Sequence, residues 1–563
     1  MTDWSTHPDA LALLDFARAA PFDPLARNIL ADWLVDNGQR GMASLLKLSL
    51  RAPDQIHHAS KKLATCLPGI VYAVDGWLLG GKEALLGRNN NSQPWLNGLH
   101  LSGRGLGTQA QADLLKTLPT IWSPGWRVFS LADFTIPADS FTTSLERGWA
   151  RNITHMRLGG PFACSLVLAT LTRTPNALNT LELRSAWWRE EKASGQSAHG
   201  GPTLPPPLEF GKSATLLPPS IRKVSLENFS LPRPELACFL ETLASAGAIQ
   251  LRLNQCHFNP HALATFNQST IWNHLESLNL TGCRLPKAQP AKEETPLQPI
   301  SANRIRSLTL RACSLTGHSL KTLAECGWLS GPTRIDLSQN HLGDLDARAL
   351  EGILDAGSIE SLNLSGCGVN GERLGQWLAL GPWERLGQLN LAFNPLGEEG
   401  WIQIANGQQT PALQWLDASS THATGKGLDY FANGNLFRRL GRLSIRGNNP
   451  GIGRDWPDSI RALLRHPASS SLAQFQFDAG HEWIRQELAH PECRLGPGAR
   501  EHLLRMAELR ARDESRRAKE HEEELNRHLL HTMGEQTGIF ARWASQQRRI
   551  RENQGPSELS GAP

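Results

Sequence analysis

The residues of this chain with the most chemistry in them are thinly spread. Cys493 follows His490 at a spacing where an imidazole can sit beside a thiol, take its proton and leave a thiolate nucleophile. Gly103-Arg104-Gly105-Leu106-Gly107, residues 447–453 and Gly425-Lys426-Gly427 are the glycine-rich stretches that cradling a phosphate would need, yet none has the spacing of a Walker loop. The first two also fall directly after a pair of strand-like leucines, where a turn already accounts for their glycines. Among 19 histidines and nine cysteines there is no His-Glu-x-x-His and no Cys-x-x-Cys, so neither a zinc-protease site nor a structural zinc site is encoded. No cofactor is called for.

Binding chemistry gives the sharper signal. Trp415 precedes Leu416, and Arg442 stands in the same place before Leu443, 27 residues later. Asp417 and Arg446 lie on the same strand face. Trp and Arg are the residue types that carry most of the energy in protein interfaces, and an indole one strand from a guanidinium is within stacking reach. The bland alternative is a lone surface aromatic among solvated charges. A second group, Arg157, Glu182, Arg184, Lys223, Glu227 and Arg252, is mixed in sign, which argues against a track for a phosphate backbone. Arg548, Arg549 and Arg551 offer at most a weak nucleic-acid contact behind the nearly charge-balanced stretch 510–524.

These residues are positioned by a repeat. Ile335-Asp336-Leu337-Ser338-Gln339-Asn340-His341-Leu342, Leu362-Asn363-Leu364-Ser365-Gly366-Cys367-Gly368-Val369 and Leu389-Asn390-Leu391-Ala392-Phe393-Asn394-Pro395-Leu396 share one pattern, L-x-L-x-x-[NC]-x-L, at a 27-residue step. The phase continues at Leu416 and Leu443, and backwards through Leu308, Leu278, Leu251 and Val224. Leu181, Met156, Phe129 and Leu99 start four more degenerate units. The alternating leucines belong on one face of a short strand and the residues between them on the other. Asn or Cys sits where the chain turns off the strand and can pair backbone groups that would otherwise be buried without partners. Segments such as 347–353 and 373–379 read as helices returning behind the strand. One unit cannot bury its own apolar face, whereas a stack can.

The pattern resembles a leucine-rich repeat, with the period of the ribonuclease-inhibitor-like class. The resemblance implies an α/β solenoid: a horseshoe of about 14 repeats with period about 27, flanked by an N-terminal helical unit and a C-terminal charged helix. Arg27-Asn28-Ile29-Leu30-Ala31-Asp32-Trp33-Leu34-Val35-Asp36-Asn37-Gly38 resembles the bacterial repeat-companion domain, which stands in front of such repeats. The expected organisation is a companion-like unit at 1–50 and a helical connector at 51–94. The solenoid follows at 95–480, with insertions near 185–220 and 286–300. A cap and charged helix occupy 481–553, and a disordered tail 554–563.

Net charge +4 with 20% charged residues excludes a generally basic nucleic-acid binder. No run of 18 apolar residues occurs, so no membrane span is expected, nor does residues 1–10 read as a secretory signal. Cys256, Cys283, Cys313 and Cys367 occupy the turn position, which fits reduced thiols and a cytoplasmic address. The expected function is a non-catalytic scaffold that binds a partner protein through the concave face or the loops, with Trp415, Asp417, Arg442 and Arg446 as the binding residues. The rival reading is an enzyme with a C-terminal catalytic segment. Some bacterial leucine-rich-repeat proteins end in a ubiquitin ligase with a catalytic Cys, but Arg494 and Leu495 follow Cys493 where a C-x-D is needed.

Overall fold

The computed structural model describes helical positions among residues 8–37, residues 98–102 and a few helical positions between 108 and 116. From 128 to 536 it describes the chain apart from 186–216, 286–298, 449–454 and gaps of one to three residues. The connector at 51–94, the tail at 554–563 and most of both insertions lie outside the described residues.

Among the described residues, fourteen strands form one parallel sheet in chain order. Each strand's first inward leucine, or its substitute, pairs with its counterpart in the next coil. The run is Leu99↔Phe129↔Met156↔Leu181↔Val224↔Leu251↔Leu278, then Leu308↔Ile335↔Leu362↔Leu389↔Leu416↔Leu443↔Phe475. Leu181 pairs directly with Val224 although residues 186–216 intervene, so that insertion leaves the sheet and returns to the adjacent lane. Burial alternates along most of the strands from Val128 on, with the inward residues almost fully enclosed and those between them half-buried or exposed, apart from the buried Ser130 and Ser444.

Helices close the coils on the other side. Gly317–Glu325, Gly371–Leu378 and Gly425–Asn433 each begin on a side-chain cap: Thr316 accepts from Ser319 N, Asn370 from Arg373 N and Thr424 from Gly427 N. Leu320, Leu323, Leu374, Trp377, Leu428 and Phe431 turn inward from these helices. Glycine opens the first two of these helices because the next coil lies against it. A Cβ on Gly371 would stand 2.6 Å from Gly400 N.

The turn after the strand carries two ladders. Asn340 Oδ1 accepts from Cys313 N and Leu315 N, both at 3.0 Å, while its Nδ2 donates to Leu310 O and Leu337 O. Asn394 and Asn448 repeat this arrangement. Cys283, Cys313 and Cys367 only donate, to the carbonyls of Leu253, Leu280 and Leu337. Donor-only Cys or Thr therefore alternates with Asn along Cys313, Asn340, Cys367, Asn394, Thr421 and Asn448, so the true unit in this stretch is a pair of coils. The capped helices at Thr316, Asn370 and Thr424 follow the same two-coil alternation. Just before each ladder residue the backbone turns left-handed, at Gln255, Gly282, Ala312, Gln339, Gly366, Phe393, Ser420 and Gly447.

The helix Pro497–Gln536 begins against the last strand, burying Ala499, Leu503 and Ala507, and its exposed positions then predominate. At the N-terminal end, Asp32, Trp33, Val35 and Asp36 are helical, and Asn37 stops the helix by donating its N and Nδ2 to Trp33 O.

Candidate functional site

The site residues divide between two rows of the concave face. The residue just before each inward leucine forms one row across neighbouring coils: Arg334, Ser361, Gln388, Trp415 and Arg442 stand in direct register. With Glu360, Arg385, Gln414 and the backbone at Gly387 and Gly441 they line an open groove of about 530 Å³. Glu360 lies 2.8 Å from Arg385 Nη2 and 3.9 Å from Arg334 Nε. Two guanidiniums thus share one carboxylate beside the indole, and Arg442 lines the same groove without pairing to it. Arg442 is exposed, and Trp415 is half-buried rather than exposed.

The expected indole–guanidinium stack is not formed. Register alone sets two Cα positions side by side, whereas a stack also needs matching rotamers. Among the described residues, cation–π contacts lie instead at Lys426 over Tyr430 and Arg461 over Trp483. Asp417 and Arg446 are also occupied within the chain. Asp417 Oδ1 accepts from Ser419 N at 3.0 Å and from Ser419 Oγ at 2.6 Å. Asn279, Asp336, Asn363 and Asn390 cap the backbone two residues on in the same way, so this row is a set of turn caps before it is a solvated surface. Arg446 lies 3.5 Å from Asp478, which also receives Arg510 from the C-terminal helix at 3.2 Å. Its guanidinium, half-exposed, takes part in that junction.

The mixed-sign cluster is one site in part. Glu182 takes His155 Nε2 at 3.1 Å and the Arg157 guanidinium, and Arg184 pairs with Glu227 at 3.0 Å in the adjacent lane. Burial on its own raises the Glu182 carboxyl, but the His155 hydrogen bond and the Arg157 charge outweigh it and hold the group down at about 2. A carboxylate fixed this firmly is a structural counter-ion across strands.

The Cys493–His490 pair on which a C-terminal catalytic segment would rest is not assembled. Cys493 is buried, and His490 Nδ1 accepts from Glu492 N at 3.2 Å instead of engaging the thiol. Gly425-Lys426-Gly427 opens a convex helix, with Lys426 tied to Glu398 at 2.6 Å. Residues 103–107 and 548–551 lie outside the described residues. Among the described residues, no group of three or more His, Cys, Asp or Glu side chains could hold a metal, and no helix is long and apolar enough to cross a membrane.

One residue escaped the sequence reading. Phe393 is 68% exposed and holds φ +58°, a conformation that a bulky L-residue adopts only at a cost. Its signal was present as an aromatic where Gly366 and Gly447 stand in related coils.

A parallel ladder of strand, Asn or Cys turn and returning helix makes the described chain an α/β solenoid. Over 236 residues, 39% of this chain, it is 32% identical to the human NACHT, LRR and PYD domains-containing protein 12, and it spans 19% of that relative's length. No family model matches. Solved structures similar to it include the TLR13–ssRNA13 complex, at 15% identity and TM-score 0.34 over 68% of this chain and 58% of that one. Another is the yeast Rad7–Elc1 complex, at 12% identity and TM-score 0.30 over 62% and 87%.

Proposed function

We propose that the chain is a non-catalytic scaffold that holds an acidic segment of a partner protein in the groove around Trp415. The single observation that carries this reading is the groove's charge: its lining holds Arg334, Arg385 and Arg442 against one carboxylate, Glu360, which pairs with the first two, beside a half-buried indole. Guanidiniums grip carboxylates through paired hydrogen bonds, and the indole excludes water from one side of that contact. The parallel sheet supplies a rigid base for it, since Arg334, Trp415 and Arg442 open successive strands, while Glu360 and Arg385 stand on the segments that lead into them. The repeat-companion reading of the N-terminal unit and the cytoplasmic address are supported by the Arg27–Gly38 sequence and the ladder thiols, respectively.

The test is a double variant, Trp415→Ala with Arg442→Ala, used as bait in the cell extract. Both side chains lie outside the core, so the circular-dichroism spectrum and melting point should stay as they are while the captured partner is lost. Retention of the same partner by the variant would move the binding surface away from this groove.

A further inference from the structure

Phe393 occupies a place in the repeat where the chain does not need a side chain. The left-handed turn falls on Asn228, Gln255, Gly282, Ala312, Gln339, Gly366, Phe393, Ser420 and Gly447 in successive coils, and Phe393 alone among these is large and apolar. Left-handed backbone costs an L-residue free energy that glycine or asparagine avoids. Burial does not offset that cost here, because the ring is 68% exposed. Its neighbours in the row are Gly366 and Ser420, which leave both flanks of the ring open, and no aromatic or cationic partner meets it among the described residues. A residue that is both strained and exposed adds nothing to the fold, and strain of this kind concentrates where function holds it.

The position of Phe393 relative to the groove says what it would meet. Gln388, which starts the same coil, lies in the groove directly beside Trp415. Four residues of strand and turn lie between it and Phe393, so the two stand five steps apart, an interval of roughly 15 Å at strand rise. The surface between carries Asn390, Ala392, Asp417 and Ser419, all short side chains, with Asp417 already turned onto Ser419. An extended chain can therefore lie close to the sheet between a cationic end and an apolar end.

Resting on the groove reading above, we infer that the partner element is an extended peptide segment with two anchors. An Asp or Glu enters the Arg334–Arg385–Arg442 groove, and an apolar side chain about four to five residues away covers Phe393. Phe393 supplies contact area at small entropic cost, as aromatic anchors do.

The experiment pans the full chain against phage-displayed random linear peptides and measures an enriched peptide by fluorescence anisotropy. Enriched sequences should pair an acidic with a large apolar residue at that separation. Phe393→Asn, which copies Asn228, should raise the melting temperature by roughly 1–2 °C while weakening the peptide about tenfold or more. Phe393→Gly should weaken it equally. A lowered melting temperature in both variants would make Phe393 a structural residue and overturn the inference. So would unchanged peptide affinity. If Phe393→Asn leaves binding intact while Arg334→Ala with Arg442→Ala abolishes it, the groove stands and the second anchor fails. If neither set of variants affects the peptide, both readings fail. Tighter binding of an oligouridylate than of any enriched peptide would also overturn the inference.

Discussion

Asn394 Oδ1 accepts from Cys367 N, one coil earlier, at 3.1 Å, and this bond joins two coils that the sheet alone would leave unsealed at their turn. The same amide accepts from Val369 N and donates to Leu364 O and Leu391 O, so one side chain pairs buried groups of both coils. Cys367 does less, donating from its thiol to Leu337 O at 3.1 Å. Within the alternation, Asn holds the joint and Cys fills the space between joints.

Asn394→Ala should therefore cost more than Cys367→Ala. Each buried backbone group left without a partner costs about 1–3 kcal/mol, and Asn394 serves at least four of them. Cys367→Asn should fold, since Asn340 and Asn394 already make the ladder bonds on either side, whereas Cys367→Leu cannot make them. Chemical denaturation of the four variants gives the order; equal midpoints for Asn and Leu at 367 would remove the ladder from the account.

Leu364→Ala should lose about 2–5 kcal/mol through the cavity it leaves, because the side chain is 1% exposed. Asn363→Ala should lose about 0.5–1.5 kcal/mol, the worth of the bond its Oδ1 accepts from Ser365 N at 3.0 Å. A surface position without that cap would have cost less. Equilibrium unfolding in urea separates the two.

The ladder thiols should be chemically silent in the folded chain. Burial pushes Cys313 up to about 12 and Cys367 up to about 11, so neither holds thiolate at mildly alkaline pH. Titration with an aromatic disulfide should label them only after denaturant is added. Rapid labelling of Cys367 in the native chain would contradict its burial.

Acid should find Glu182 late. Its carboxyl is held at about 2 against an ordinary 4.5, so the stabilisation it brings is complete above 4.5 and is lost as pH falls toward 2. The melting temperature of the wild type should therefore drop more steeply over that interval than that of Glu182→Gln, which has no such carboxylate to protonate. Parallel curves for the two chains would show that the Glu182–Arg157–His155 group is energetically neutral.

Asp478→Ala should loosen the C-terminal helix without unfolding the solenoid. It removes the carboxylate shared by Arg446 and Arg510 and leaves Ala499, Leu503 and Ala507 packed. Trypsin should then cut faster at Arg510 and Arg512, while the main unfolding transition stays where it is. An unchanged cleavage rate would place the helix's attachment wholly in its apolar first turns.

The sequence by itself determined the repeat, its phase and its inward residues. Leucine spacing in a strand is a local pattern, and a solenoid adds such patterns one after another. The phase thus runs from Leu181 to Val224 across the insertion on leucine spacing alone, and the sheet pairs those two residues. The helix over 371–378 was legible for the same reason, as an apolar stripe behind the strand. What only the tertiary structure decided is where polar side chains spend their bonds. Asp417 turns onto Ser419, Arg446 and Arg510 meet at Asp478, and Trp415 does not stack on Arg442, because each outcome depends on rotamers and on the offset between coils. The cost carried at Phe393 belongs to the same class. It arises from the backbone angle at one turn, and an isolated phenylalanine in a sequence says nothing of φ.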